Sequence, residues 1–182
     1  SETSETKVTH QIRITNKTPT VYLKQYALTT SNPRLKNITV RSGNQVIDTN
    51  NVHTSQGTTI GITFPDDVVG QGKVREFFIE YQDPDVANSA GSVLEVHIPK
   101  MADESAFDSN RTILLTPVYF SLPVRVSPQP ISSDFIQSQA KLVFNRPNGE
   151  PISAIFGTEQ NYQLNLRYHL ENPSSSVALA QI

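Results

Sequence analysis

Residues 160–170 read QNYQLNLRYHL, and apolar and polar side chains alternate along this stretch almost without interruption. The apolar set consists of Tyr162, Leu164, Leu166, Tyr168 and Leu170. A period of two residues is typical of a β-strand that has one buried face and one solvated face. The same alternation recurs in residues 58–64 and 74–81, so the sequence predicts an all-β protein.

Length and composition favour a β-sandwich. The chain has 182 residues, of which 36% are hydrophobic and 18% charged, a balance that does not fit disorder. Turn residues recur about every 8–12 positions, as in sandwich folds. The sequence therefore predicts an immunoglobulin-like antiparallel β-sandwich, followed by a second small or partial β-sandwich.

Residues 122–130, LPVRVSPQP, contain three prolines and predict the boundary between these two units. Residues 1–123 are expected to form the first β-sandwich domain, and residues 124–182 a second β unit, complete or truncated. Residues 111–120 are apolar on both faces and predict a central strand. A loop is expected at residues 82–91, and one helical turn at residues 134–140.

Charge and cysteine content exclude several classes of function. The net charge is −2 and basic residues are scattered, which argues against a nucleic-acid partner. The chain has no cysteine, so disulfides, zinc–thiolate sites and a cysteine nucleophile are excluded within it. No apolar run is long enough to span a membrane, so we expect no membrane insertion by this chain. We interpret it as a fragment whose export signal or anchor would lie elsewhere.

One loop offers candidate metal ligands. Asp83, Asp85 and Asn88 place oxygen atoms at the short spacing that could hold Ca²⁺. The sequence does not place a glycine and a distant bidentate glutamate at the positions that a calcium loop requires. An Asx-capped turn is the alternative. No other metal ligand and no cofactor is expected.

No catalytic residues can be assigned from the sequence. Asp66 and Asp67 are adjacent carboxylates in a turn, and solvent-exposed side chains are a simpler interpretation than an acid–base pair. No Gly-x-Ser-x-Gly motif is present. A Ser-His-Asp triad whose members come together only in the folded protein is the remaining catalytic alternative. Aromatic residues could instead form a platform for stacking sugars, although most sit at core spacing. These are Tyr22, Tyr26, Phe77, Phe78, Tyr81, Phe156, Tyr162 and Tyr168.

Two stretches carry a family resemblance. Residues 64–73, FPDDVVGQGK, continue through FFIEY at 77–81 and a strand at 91–99, and IFGTEQNY at 155–162 leads into LRYHLEN at 166–172. Together they resemble the N-terminal, extracytoplasmic β-rich region of bacterial transglutaminase-like membrane proteins. In that family the region precedes a papain-like transglutaminase-fold domain. No catalytic residue carries over, because the family's chemistry needs a cysteine.

The resemblance implies an extracytoplasmic location, at the cell surface or in the periplasm. We therefore expect a non-catalytic accessory or binding module of a larger transglutaminase-like surface protein. Its partner would be the downstream domain of the same polypeptide, a cell-envelope protein or a glycan. A surface adhesin or carbohydrate-binding domain is the alternative, which an open aromatic groove would favour. A cleft that gathers a histidine, a carboxylate and a serine would instead favour a hydrolase.

Overall fold

The computed structural model describes residues 6–101, 107–146 and 149–157. These ranges contain fourteen β-strands, one short 3-10 turn at Val118–Phe120 and no α-helix. The predicted all-β class is therefore confirmed. The alternating stretch at residues 160–170 lies outside the described ranges.

The strands fall into four antiparallel sheets. Residues 6–83, the first unit, contain β1 (Thr6–Thr15), β2 (Gln25–Thr30), β3 (Lys36–Ser42), β4 (Gln45–Ile47), β5 (Thr49–Thr54), β6 (Gly57–Thr63) and β7 (Val74–Asp83). Residues 87–157, the second unit, contain β8 (Ala87–Ala90), β9 (Val93–Ile98), β10 (Arg111–Pro117), β11 (Arg125–Ser127), β12 (Ser132–Ile136), β13 (Gln139–Asn145) and β14 (Ile152–Gly157). The sheet orders are β1-β7-β3-β4 and β2-β6-β5 in the first unit, and β10-β13-β12 and β11-β14-β9-β8 in the second.

The core of the first unit is built around β7. Every second side chain of this strand is buried, and Phe77 and Ile79 have no exposed surface at all. Ile60 and Ile62 of β6 belong to the same buried cluster, and Phe64 stands edge-on to Phe77 at 5.0 Å between ring centroids. Two sheets that share one apolar core are consistent with a β-sandwich.

The second unit has a core of its own. Its buried members come from β9, β10, β13, β14 and the 3-10 turn: Leu94, Val96, Leu114, Phe120, Leu142, Phe144, Ile152, Ala154 and Phe156. This cluster shares no residue with the cluster that surrounds β7. The described part of the chain therefore contains two separate apolar cores.

Strand pairing crosses the predicted domain boundary at residues 123 and 124. β9 pairs with β14 and β10 pairs with β13, so strands before and after Pro123 belong to the same sheets. The strands change from one core to the other between β7 and β8, while Phe107, which precedes β10, still packs against the first core. The prolines of residues 122–130 flank β11, an edge strand, where a missing backbone donor is tolerated.

Three local predictions also need correction. The predicted loop at residues 82–91 contains the short edge strand β8, and the predicted helical turn at residues 134–140 is the β12–β13 hairpin. The predicted central strand at residues 111–120 is wrong, because β10 ends at Pro117 and lies at the edge of the sheet among the described strands. A strand with apolar side chains on both faces can be a central strand, or an edge strand whose outer face is exposed to solvent. The pattern therefore does not distinguish between the two.

We predict that Phe77→Ala destabilises the protein by about 3–5 kcal/mol, because it opens a cavity in the first core. Phe78→Ala is the matched control, since Phe78 is only half-buried on the opposite face of the same strand. Chemical denaturation of the two variants measures the difference. Equal losses of stability would contradict the assignment of the two faces of β7.

Candidate functional site

The loop of residues 64–73, part of the family-like motif, is anchored by a buried arginine. The guanidinium of Arg75 lies 4.2 Å from the ring centroid of Phe64, in a cation–π arrangement. It also donates hydrogen bonds to Asp66, at 3.1 Å to Oδ1 and 2.7 Å to the backbone carbonyl oxygen. The Arg75 side chain is only 4% exposed. The start of β7 therefore fixes the conformation of the chain that precedes it.

Asp66 and Asp67 are both engaged in ion pairs. The hydrogen bond from Arg75 lowers the pKa of Asp66, and a 2.7 Å hydrogen bond from Lys24 Nζ lowers the pKa of Asp67. Asp67 also accepts a hydrogen bond from the Tyr22 hydroxyl at 3.2 Å. An acid–base pair needs two carboxyl groups whose pKa values are pushed apart. Here both are lowered, so the pair does not have the electronic arrangement of a catalytic dyad.

Asn16 forms hydrogen bonds with the C-terminal part of the loop of residues 64–73. Its side-chain amide donates to the carbonyl oxygens of Val68 and Gly70, at 2.6 and 3.3 Å. Its backbone amide donates to the Lys73 carbonyl and its carbonyl accepts from the Gly72 amide, both at 2.9 Å. The polar residues of the loop therefore stabilise the fold of the first unit.

The candidate calcium ligands lie where the chain passes from the first unit to the second. Buried Asp83 accepts hydrogen bonds at Oδ1 from the Asn32 side-chain amide at 2.6 Å and from the Asp85 backbone amide at 2.9 Å. Asp85 forms an ion pair with Arg34. The third candidate, Asn88, lies on β8 opposite Glu95. Among the described residues, no group of three or more His, Asp or Glu side chains is arranged to hold a metal ion.

His10 and Tyr81 form a polar contact inside the first unit. His10 Nε2 lies 2.9 Å from the Tyr81 hydroxyl oxygen, and their ring centroids are 5.5 Å apart. Burial lowers the pKa of His10, which favours the neutral imidazole. Burial, together with the negative charge of Asp83, raises the pKa of Tyr81. The pair joins β1 to β7 within the first unit.

One shallow groove, of about 280 Å³, gathers the residue types that a hydrolase would need. It lies on the sheet β11-β14-β9-β8, and the polar side chains that line it are Asp85, Asn88, Glu95, His97 and Ser153. His97 Nδ1 lies 3.2 Å from Ser153 Oγ, because strand register places the two residues opposite each other. Sequence reasoning missed this pair, since 56 residues separate its members.

The His97–Ser153 pair lacks the surroundings of a catalytic serine. Ser153 lies within β14, which pairs with β9 on one side and β11 on the other. Backbone amides in such a position serve the sheet ladders and are not free to stabilise an oxyanion. A catalytic serine of the α/β-hydrolase type instead sits on a sharp, exposed turn. The geometry is that of a cross-strand surface pair.

Six of the eight aromatic residues predicted for a sugar-stacking platform are described, and these six do not form an open platform. Phe77, Tyr81 and Phe156 are buried in the two cores. Tyr26 packs edge-on against Phe77 at 5.2 Å between ring centroids. Of the remaining candidates, Tyr22 is the hydrogen-bond donor to Asp67 and Phe78 is half-buried, while Tyr162 and Tyr168 lie outside the described ranges.

Exposed apolar side chains are concentrated on the second unit. Among the described residues, nine of the fourteen large exposed hydrophobic side chains fall between positions 113 and 136. They are Ile113, Leu115, Val118, Tyr119, Leu122, Val124, Ile131, Phe135 and Ile136. Large exposed apolar patches are typical of surfaces that bind a partner. We name this set the apolar surface.

Comparison with known proteins adds no assignment. No family model matches the chain, and neither the curated proteins nor the solved structures contain a match.

Within the described ranges, no helix has the length and apolar character required to cross a membrane.

We predict that the free energy of unfolding falls as the pH drops below about 6.5, the ordinary pKa of histidine. Because burial lowers the pKa of His10 in the folded state, the unfolded chain takes up a proton that the folded chain does not. This contribution of His10 to the free energy of unfolding is complete above pH 6.5. It is lost as the pH falls through the pKa that His10 has in the folded protein. Urea unfolding between pH 7.5 and 4.5 measures this, at an m-value of about 1–3 kcal/mol/M.

The His10→Gln variant should lose this component of the pH dependence. His53→Gln leaves His10 in place and should keep it. An unchanged slope in His10→Gln would show that other groups dominate the acid sensitivity.

Proposed function

We propose that this chain is a non-catalytic, extracytoplasmic accessory module of a larger transglutaminase-like surface protein, and that it acts by binding a partner domain. The observation that carries this proposal is the concentration of exposed apolar side chains on the second unit. The family resemblance supports the location and the accessory role. The proposed fold type of the first unit is an immunoglobulin-like sandwich, followed by a second small or partial β-sandwich.

The register of the sheet β10-β13-β12 places Ile113, Leu115 and Ile136 of the apolar surface on one face, and Phe135 on the other. Ile113 and Leu115 alternate with buried Leu114 and therefore point away from the core. Ile113 lies opposite Val143, and Leu115 lies opposite Lys141, which is itself opposite Asp134. A partner that covered this face would remove apolar area from water, which is worth about 25 cal/mol per Å².

The first unit has fewer large exposed hydrophobic side chains among its described residues. Its large exposed hydrophobic side chains are spread over five separate elements or loops. They are Val21, Val46, Val52, Val69 and Val74. Single exposed apolar residues are common on protein surfaces and indicate no function. The contrast between the two units favours the second unit as the binding unit.

The polar chemistry of the chain supports a non-catalytic role. Asp66, Asp67, Asp83 and Asp85 are committed to hydrogen bonds and ion pairs that hold loops in place. The chain also lacks the cysteine that the resembling family uses as its nucleophile. The partner we propose is the domain that follows in the same polypeptide.

One observation favours a second candidate, a carbohydrate-binding adhesin. The groove around His97 and Ser153 presents amide, carboxylate, imidazole and hydroxyl groups on an exposed sheet face. These groups can hydrogen-bond to sugar hydroxyls, although the groove has no aromatic side chain on which a sugar could stack.

We predict that the purified chain binds the separately produced downstream domain with micromolar affinity, about −8 kcal/mol. A double variant, Ile113→Ser with Leu115→Ser, should weaken the association at least tenfold, because it removes two exposed apolar side chains from the proposed interface. Val46→Ser with Val52→Ser is the matched control on the first unit and should leave the affinity unchanged. Isothermal titration calorimetry measures all three.

An equal effect of the two double variants would contradict the proposed surface, and an absence of association would contradict the proposed partner. Glycan binding that is lost in His97→Ala, without association to the downstream domain, would establish the adhesin alternative instead.

A further inference from the structure

The loop that connects β10 to β11 is apolar and exposed. Its residues 118–124 read VYFSLPV and include no charged side chain. Val118, Tyr119, Leu122 and Val124 are all exposed, and Val124, at 74%, is the most exposed large hydrophobic side chain among the described residues. Apolar residues that are exposed singly are ordinary, whereas a contiguous group indicates a contact surface. We name residues 118–124 the apolar loop.

The apolar loop is anchored in the second unit by one of its own side chains. Phe120 is buried in the second core. The Tyr119 ring packs on Phe120 with 4.3 Å between ring centroids, and the Ser121 backbone amide donates to the Val118 carbonyl oxygen at 2.9 Å. The exposed side chains are therefore displayed by an ordered turn, which lowers the conformational entropy that is lost when they meet a partner.

Two further hydrogen bonds join the apolar loop to both sheets of the second unit. The Val118 amide donates at 3.0 Å to the carbonyl oxygen of Ser138, in the turn of the β12–β13 hairpin. The Val124 amide donates at 2.8 Å to the carbonyl oxygen of Ile155, in β14. The loop therefore lies beside the hairpin turn of one sheet and along the edge of the other.

The surroundings of the apolar loop carry positive charge. Residues 109–133 contain two arginines and no acidic residue, although the net charge of the whole chain is −2. Arg125 follows the loop directly and is exposed. In the adjoining sheets, Asp134 lies opposite Lys141, and Glu95 lies two strands away from Arg125. The loop therefore combines apolar side chains with an adjacent cation.

We propose that the apolar loop binds the surface of a bilayer that contains anionic phospholipids. The rings and methyl groups of Tyr119, Leu122 and Val124 lie at the boundary between headgroups and acyl chains, where the Tyr119 hydroxyl reaches the polar layer. Arg125 meets the phosphate groups of the lipids. Apolar area and positive charge are the two contributions that hold interfacial segments on such membranes. The contact is peripheral and involves no spanning segment.

The composition of the apolar loop favours a lipid surface over a protein surface. Protein interfaces carry about one hydrogen bond per 100–200 Å². The side chains of the loop offer only the hydroxyl groups of Tyr119 and Ser121 for such bonds. A bilayer boundary requires no directional partners for the remaining apolar side chains. The proposal does not depend on the partner domain proposed above, whose test uses Ile113 and Leu115 on the face of the sheet.

A single tryptophan reports the contact directly. The chain has no tryptophan, so Tyr119→Trp introduces the only indole and keeps an aromatic ring at the site. Vesicles of equal parts phosphatidylglycerol and phosphatidylcholine should shift its fluorescence to shorter wavelength, and brominated acyl chains should quench it. Val46→Trp, at an exposed position of the first unit, is the matched control and should show neither effect. Absence of both effects in Tyr119→Trp, or equal effects in the two variants, would overturn the proposal.

Cosedimentation with the same vesicles tests the chain without a reporter. Tyr119→Ser with Val124→Ser should weaken binding at least about tenfold, because full burial of one valine-sized side chain already corresponds to about tenfold in an equilibrium constant. Ile113→Ser with Leu115→Ser should keep the affinity. Pure phosphatidylcholine vesicles and added salt should both weaken binding, since they remove or screen the attraction to Arg125. Circular dichroism confirms that each variant is folded.

Three results would assign the apolar loop to another role. Vesicle binding that survives the loop variant and is lost in Ile113→Ser with Leu115→Ser would move the contact to the face of the sheet. Without vesicle binding, a dimer that dissociates in the loop variant would make a second copy of the chain the partner. Without vesicle binding, weaker association of the loop variant with the downstream domain would place the loop in that protein interface. Each of the three would overturn the proposal.

Discussion

The two-sided pairing of β7 is the constraint on which the first unit depends. β1 and β3 pair with its two edges, and its inward side chains are buried from Arg75 to Asp83. A slip of β7 by one residue would exchange its buried and exposed faces and would break its pairing on both edges. Arg75 at its start orders the loop of residues 64–73, and Asp83 at its end accepts the hydrogen bonds that order the passage to the second unit.

This constraint also determines the surroundings of the carboxylates in the most recognisable stretches of the sequence. The carboxylates of the family-like loop meet Arg75 and Lys24, and the buried carboxylate of Asp83 meets Asn32. Charged groups engaged in this way stabilise the loops that carry them. The exposed apolar side chains of the second unit and the groove around His97 and Ser153 are the surface features on which the two proposed functions rest.

Residue patterns were sufficient to predict the all-β class and strands such as β6, β7 and β14, because a period of two is a local property. The division into units was not predictable in this way, since it depends on β9 pairing with β14 across more than fifty residues. For the same reason the contact between His97 and Ser153 could not be predicted. Nor does the sequence reveal that Asp83 and Asp85, two of the candidate Ca²⁺ ligands, contact Asn32 and Arg34.

Native-state hydrogen exchange of the β7 amides tests most directly whether this strand organises the first unit. The account predicts that the amides of Phe77 and Ile79 exchange only through global unfolding of the unit, with protection equal to its full free energy of unfolding. The amides of the edge strand β5 should exchange through local opening at a much lower free energy. Equal protection of β5 and β7, or exchange of β7 before β5, would contradict the account.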